Sequence, residues 1–251
     1  MTVEQHMVLL PAFFALAALY TSVGHAGASG YLASMALVGI AASTMRPTAL
    51  ALNILVAIFT TWRFWRAGFF NWRALWPFLL GSVPLAALGG ALRLTASLYF
   101  VLAGTALALS AVILAWRAWG GPPPEDPAEK AHVPLAPAIL CGALIGMLSG
   151  LTGTGGGIFL SPIVLLAGWA GPRHTGGITA PFILANSTIA LAAGTATWAS
   201  LPPELPWLMV AVLAGAAAGT WLGLRRLSTR WLLAAMALVL TIAAGKLILT
   251  A

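Results

Sequence analysis

Ten apolar segments follow one another along this chain, over roughly 7–23, 31–44, 47–62, 74–92, 96–116, 135–149, 157–170, 178–198, 205–224 and 231–250. Nothing else in the sequence limits the fold so tightly. Crossing a bilayer takes about 20 apolar residues, and the span is expected to be helical because an unpaired backbone group in hydrocarbon costs several kcal/mol. Only 7% of the 251 residues are charged and 61% are hydrophobic, whereas a soluble domain averages about 25% charged. The expectation is an all-α polytopic membrane protein. A net charge of +7 could suggest nucleic acid, but the basic residues stand singly between apolar runs and form no patch, as loop charges that set topology do. The opening Met1-Thr-Val-Glu-Gln-His-Met7 has no positive region and carries Glu4, so the first run is expected as a retained span rather than a cleaved leader.

The second, sixth and seventh segments are too short to cross, and so is the first if it ends at Gly24. Each short pair flanks a glycine-rich stretch. In the second half this is Gly150-Leu-Thr-Gly-Thr-Gly-Gly-Gly157, with five glycines in eight residues, and in the first it is Gly24-His-Ala-Gly-Ala-Ser-Gly30. A helix must break there, and broken backbone at membrane depth is tolerated only where protein buries it or where it lines a cavity, as at transporter substrate sites. A tight turn that packs two helices together is the plainer alternative.

The stretch from Arg117 to Val133 holds Gly120-Gly-Pro-Pro-Pro-Glu-Asp-Pro127 and Lys130, reads as a solvated linker and divides the chain almost equally. The expected organisation is therefore a first transmembrane repeat over 1–116, a cytoplasmic linker over 117–134 and a second repeat over 135–251. A shift of 126 residues lays Gly24, Gly27 and Gly30 on Gly150, Gly153 and Gly156, and a shift of 127 lays Arg46 on Arg173. Asn53 then faces Asn186 across a six-residue insertion. Charge suggests that the repeats are inverted. The connection from Arg63 to Arg73 carries Arg63, Arg66 and Arg73 and its counterpart around Trp198 to Glu204 carries no basic residue; the next pair reverses this, with Arg93 alone against Arg225, Arg226 and Arg230. Positive loops stay in the cytoplasm, which puts the linker inside and both termini outside. Trp62, Trp65, Trp72, Trp116, Trp119, Trp198, Trp207 and Trp231 lie near segment ends, as interfacial anchors do.

The chemistry open to this scaffold is narrowed by its acids. Glu4, Glu125, Asp126, Glu129 and Glu204 all fall in connections or at the terminus, so no predicted span offers the carboxylate that cation sites and proton relays use. The same absence argues against paired-carboxylate hydrolysis and a Ser-His-Asp triad. Cys141 and four scattered histidines supply no metal-binding spacing, and Cys141 reads as a packed helix residue. No cofactor, no metal and no enzymatic activity are expected. The groups near the breaks are neutral donors or cations: His25, Ser29, Arg46, Asn53, Thr152, Thr154, Arg173, His174, Asn186 and Ser187. Glycine-rich turns opening onto Tyr31 and Ile158 would leave N–H groups at helix N-termini, whose partial positive charge suits an oxyanion. Two such ends converging from inverted repeats would form an anion site near the midplane, lined by these residues with the backbone of Gly27, Gly30, Gly153, Gly155, Gly156 and Gly157.

The residues also resemble a known family, the sulfite exporter TauE/SafE family, grouped with the toluenesulfonate uptake permeases. The resemblance covers essentially the whole chain, and Gly153-Thr-Gly-Gly-Gly157-Ile-Phe-Leu-Ser-Pro162 is similar to its second-half signature. Gly27-Ala-Ser-Gly30 departs from it, having lost the glycine run, and Met35 stands where proline is expected. The resemblance implies a multi-pass carrier of sulfite, sulfonates or related anions in the plasma membrane, here the bacterial inner membrane. Family members are described with seven or eight spans, which agrees with ten segments if the short pairs are broken or re-entrant helices.

The expected function is thus secondary transport, export in particular, by alternating access around a small oxyanion; an anion channel, a carrier of non-sulfur organic anions, and a membrane-embedded enzyme or assembly factor are the alternatives. The expected partners are the oxyanion and the lipid bilayer, with a homodimer admitted and nucleic acid excluded. Residue by residue, two readings stay open. Arg46 and Arg173 contact substrate or snorkel to headgroups; His25 donates to the anion, exchanges a proton, or packs; Asn53 and Asn186 orient the anion or tie helices together. Lys246 reads as a snorkelling anchor.

Overall fold

The computed structural model describes residues 3–92, 94–120, 133–194, 201–223 and 229–250. Among them lie ten helices and no strand: α1 Val3–Ser22, α2 Ala28–Leu37, α3 Ala42–Arg66, α4 Trp72–Ala91, α5 Ala96–Trp119, α6 Leu135–Thr152, α7 Gly157–Leu166, α8 Pro172–Ala193, α9 Leu205–Gly223 and α10 Thr229–Thr250. Helices α1, α3, α4, α5, α6, α8 and α9 are each long and apolar enough to cross a membrane. Helices α2 and α7 have 10 residues each, about 15 Å at 1.5 Å per residue, which is half the hydrocarbon core. Both short helices follow a glycine break.

Several boundaries differ from the sequence reading. Helix α2 begins at Ala28 rather than Tyr31, so Ser29 and Gly30 lie in its first turn. Gly30 is tolerated in the helix because a Cβ there would press on Leu16 and Tyr20 of α1. Arg46 lies inside α3, and Arg173 and His174 lie in the first turn of α8, which opens with Pro172, a residue preset for that position. Helix α5 runs through Arg117 to Trp119, so that arginine belongs to a helix and not to a linker. Asn71 and Thr95 cap α4 and α5, accepting from the amides of Ala74 and Leu98. The linker residues 121–132, with Glu125, Asp126, Glu129 and Lys130, lie outside the described residues, as do Arg93, Trp198, Arg225 and Arg226, and so do the side chains of Trp231 and Lys246.

Close packing sets the helix directions. Gly142, Gly146 and Gly150 of α6 lie against the backbone of Phe78, Ser82 and Ala86 of α4, where a Cβ would strike a carbonyl oxygen. Both sets advance by four, so the two helices are parallel. Gly215, Gly219 and Gly223 of α9 lie in the same way on Phe14, Ala18 and Ser22 of α1, which makes that pair parallel too. Helix α3 is antiparallel to α8, because Leu50 and Ala51 pack with Ala190 and Leu191, Asn53 meets Ser187, and Phe64 meets Gly176. All three relations are those of a chain whose consecutive helices alternate in direction. Lipid gives helices no hydrophobic reason to associate, so small residues that let backbones approach carry this packing. Exposed Trp62, Trp65, Trp72, Trp76, Trp116, Trp119, Trp207 and Trp221 sit near helix ends.

Candidate functional site

The first break starts where α1 closes on itself: the His25 amide donates to the carbonyl of Tyr20 at 2.9 Å, and Gly24 and Gly27 take left-handed φ of +81° and +105°. At its far end the amide of Ala28, the first residue of α2, donates to Asn53 Oδ1 at 3.1 Å. A helix start has amides without partners in its own helix, and here a side chain from the middle of α3 satisfies one. The other end of that side chain reaches the second half of the chain, where Asn53 Nδ2 donates to Ser187 Oγ of α8 at 3.0 Å.

The second break comes to the same place. Gly153, Gly155 and Gly156 are all left-handed, with φ between +76° and +80°, and α7 starts at Gly157. Gly155 is held by space as well as by conformation, because a Cβ there would overlap the Asn53 amide nitrogen and press on Ser187 Oγ and Ile183. Asn53 therefore joins three things: the N-terminus of α2, the hydroxyl of Ser187, and the Gly155 backbone just before α7. Nearby, Thr152 Oγ1 donates to the Leu148 carbonyl and shares a 3.0 Å hydrogen bond with Thr154 Oγ1.

The remaining candidates divide. Asn186 is buried one residue from Ser187; its Nδ2 donates to the Phe182 carbonyl in its own helix, and its Oδ1 has no protein partner. Ser29 donates to the Tyr20 phenol at 2.9 Å. His25 is 2% exposed, and its Nε2 lies 3.1 Å from Ser161 Oγ of α7, so the first break touches the second half of the chain here as well. Arg46 is used otherwise: it donates to the carbonyls of Gly89, Gly90 and Leu92 at 2.6 to 3.2 Å. It thus caps the C-terminal end of α4, where a cation is favoured. Arg173 is exposed and sits over the Phe69 ring at 5.7 Å, and His174 meets the same ring edge-on. The structure brings together His25, Gly27, Asn53, Gly155, Gly156, Gly157, Asn186 and Ser187 and sets Arg173 and His174 apart from them, while Arg46 packs its Cα and Cγ against Gly153 of the second break and turns its guanidinium to the end of α4.

Sequence reasoning missed the tyrosines. The chain has three. All are buried and all serve the breaks: Tyr31 donates to the Ala26 carbonyl, Tyr20 accepts from Ser29, and Tyr99 donates to the Thr152 carbonyl. Their scarcity beside eleven tryptophans was the available signal. Thr179, whose methyl faces the start of α7, lies on the same face of α8 as Ile183 and Asn186, a spacing of four and then three that marks one helix face. Among the described residues, the buried polar side chains are hydroxyls, amides and one histidine, with no carboxylate. Such a lining gives donors to an oxyanion and no charged ligand to a cation.

Comparison with known proteins agrees in kind. The sulfite exporter TauE/SafE family profile matches residues 9–247. A protein of Sinorhizobium fredii (strain NBRC 101917 / NGR234) described as "Probable membrane transporter protein y4hK" is 40% identical over 237 residues, covering 94% of this chain and 96% of its own length. No solved structure matches the chain.

Proposed function

This chain belongs to the sulfite exporter TauE/SafE family of membrane transporters, and from that premise we propose that it is an alternating-access carrier of small sulfur oxyanions, sulfite or organosulfonates, in the plasma membrane. The observation that carries the reading is Asn53, which meets the start of α2, Ser187 and Gly155 at one buried point. Two short helices directing their N-termini toward one lining without carboxylates offer an anion both backbone amides and dipole ends. The Asn53 amide and the Ser187 hydroxyl supply further donors. The bound anion displaces Asn53 Oδ1 from the Ala28 amide, so in its absence the asparagine acts as an internal substitute.

The repeats are inverted in this reading. The antiparallel course of α3 and α8, the parallel pairs α4 with α6 and α1 with α9, and the matching breaks all support it. Arg63 and Arg66 in the last turn of α3, with Arg73 beyond, favour the cytoplasmic side for that connection. Outward movement of net negative charge gains about 2.3 kcal/mol per charge per 100 mV of inside-negative potential, so export is the favoured direction. Proteoliposomes loaded with labelled sulfite test the reading. Saturable efflux accelerated by sulfite on the other side is expected; flux without such acceleration would indicate a channel, and no flux of sulfite or any sulfonate would refute the proposal.

A further inference from the structure

A cation that the sequence assigned to a linker connects to the first break through one hydroxyl. Arg117, in the last turn of α5, directs Nη1 to Ser161 Oγ at 3.5 Å, and that hydroxyl lies 3.1 Å from His25 Nε2. A polar chain thus runs from the end of α5, through the middle of α7, into the first break. His25 Nδ1 is buried without a well-aligned hydrogen bond, the backbone of Val23 and Gly157 lying beside the ring.

Arg117 and Arg46 make an informative contrast. An arginine that secures a helix end distributes its donors over carbonyls, as Arg46 does on Gly89, Gly90 and Leu92. Arg117 makes one long hydrogen bond to a hydroxyl among the described residues. Of the acids in those residues, Glu4 starts α1 and Glu204 precedes α9, and neither faces it in an ion pair. A planar guanidinium with open donors is suited to bidentate capture of an oxyanion. Ser161 and a His25 ring N–H stand behind it as further donors.

We infer that Arg117, Ser161 and His25 form a second anion subsite, on the side of the membrane where α5 ends, through which the oxyanion passes to or from Asn53. The subsite rests on the carrier reading and adds to it the residue that loads the pathway from the linker side. Ser161 passes the anion from a charged group to a neutral one, so the site beyond it needs no cation.

The test uses the full chain in sealed vesicles of known orientation, with labelled sulfite offered at one face at a time. R117M should raise the KM at the linker-side face by about tenfold or more, R117K by less, and S161A by about threefold to tenfold. The KM at the opposite face should stay within about twofold in all three. If wild-type vesicles carry sulfite saturably and R117M keeps the wild-type KM at both faces, the subsite is refuted while the carrier reading stands. If wild-type vesicles carry none, the carrier reading fails and the subsite with it. Should R117M not fold, the same KM comparison on R117K and S161A decides.

Discussion

Replacing Asn53 by aspartate changes the charge at the meeting point of the two breaks while leaving its shape almost intact. The oxygen that accepts from the Ala28 amide at 3.1 Å remains, and the new oxygen takes the place of Nδ2, 3.0 Å from Ser187 Oγ, whose hydroxyl can turn to donate to it. Gly155 keeps its clearance, since an oxygen is no larger than the amide group it replaces. Ionised, the new carboxyl stands about 4 Å from an oxyanion held by the same donors, where like charges repel by about 4 kcal/mol at an effective dielectric of about 20. At 1.4 kcal/mol per decade, affinity falls about a thousandfold. Sulfite efflux from proteoliposomes below saturation, divided by the wild-type rate at the same pH, measures this. Wild-type rates in N53D, or new cation flux with intact anion flux, would refute an anion site at Asn53.

Gly155→Ala meets a left-handed φ of +76° and the Asn53 amide together; with about 1–2 kcal/mol for the conformation and about 1–3 kcal/mol for a displaced buried partner, a loss of about 2–5 kcal/mol should appear as a markedly lower melting temperature in detergent. Arg46→Met should lower thermal stability by about 1.5–3 kcal/mol through its carbonyl partners, with sulfite KM within about threefold of wild type; a large KM change with unaltered melting would return Arg46 to the substrate path. Arg173→Gln, on an exposed residue stacked over Phe69, should alter sulfite KM by less than about threefold, since exposed cation–π contacts contribute only about 0.5–1 kcal/mol. Gly146→Val should block the approach of α6 to Ser82 and abolish monodisperse protein in size-exclusion chromatography, because a β-branched side chain cannot occupy the place of a carbonyl.

The ten helices and both breaks were legible because glycine clusters and apolar run lengths are local signals. The packing was not. A helix with lipid on one side and protein on the other is apolar all round, so α6 and α9 carry no hydrophobic periodicity to read, and only the fourfold spacing of Gly142, Gly146 and Gly150, and of Gly215, Gly219 and Gly223, marks their buried faces. The candidate site was legible in part. Asn53 and the second glycine run followed from the repeat and the motif, whereas the partnership of Asn53 with Ala28 and Ser187 depends on how α3 crosses the breaks. Arg46 stayed open between substrate contact and snorkelling because composition cannot show that the end of α4 lies beside it. Arg117 was hidden by its neighbours, since proline and acidic residues just after it made the whole stretch read as solvated.

The two glycine-lined interfaces also bear on biogenesis. Helix α1 of the first half lies on α9 of the second, and α6 of the second lies on α4 of the first. Each break-bearing helix therefore takes its closest partner from the other half, and until α9 emerges from the ribosome α1 lacks the surface on which its backbone packs most tightly. The midpoint linker separates two stretches of sequence but not two folding units. Severed there, neither polypeptide would hold its own break in place, and the two would have to be co-translated into the same membrane to complete each other.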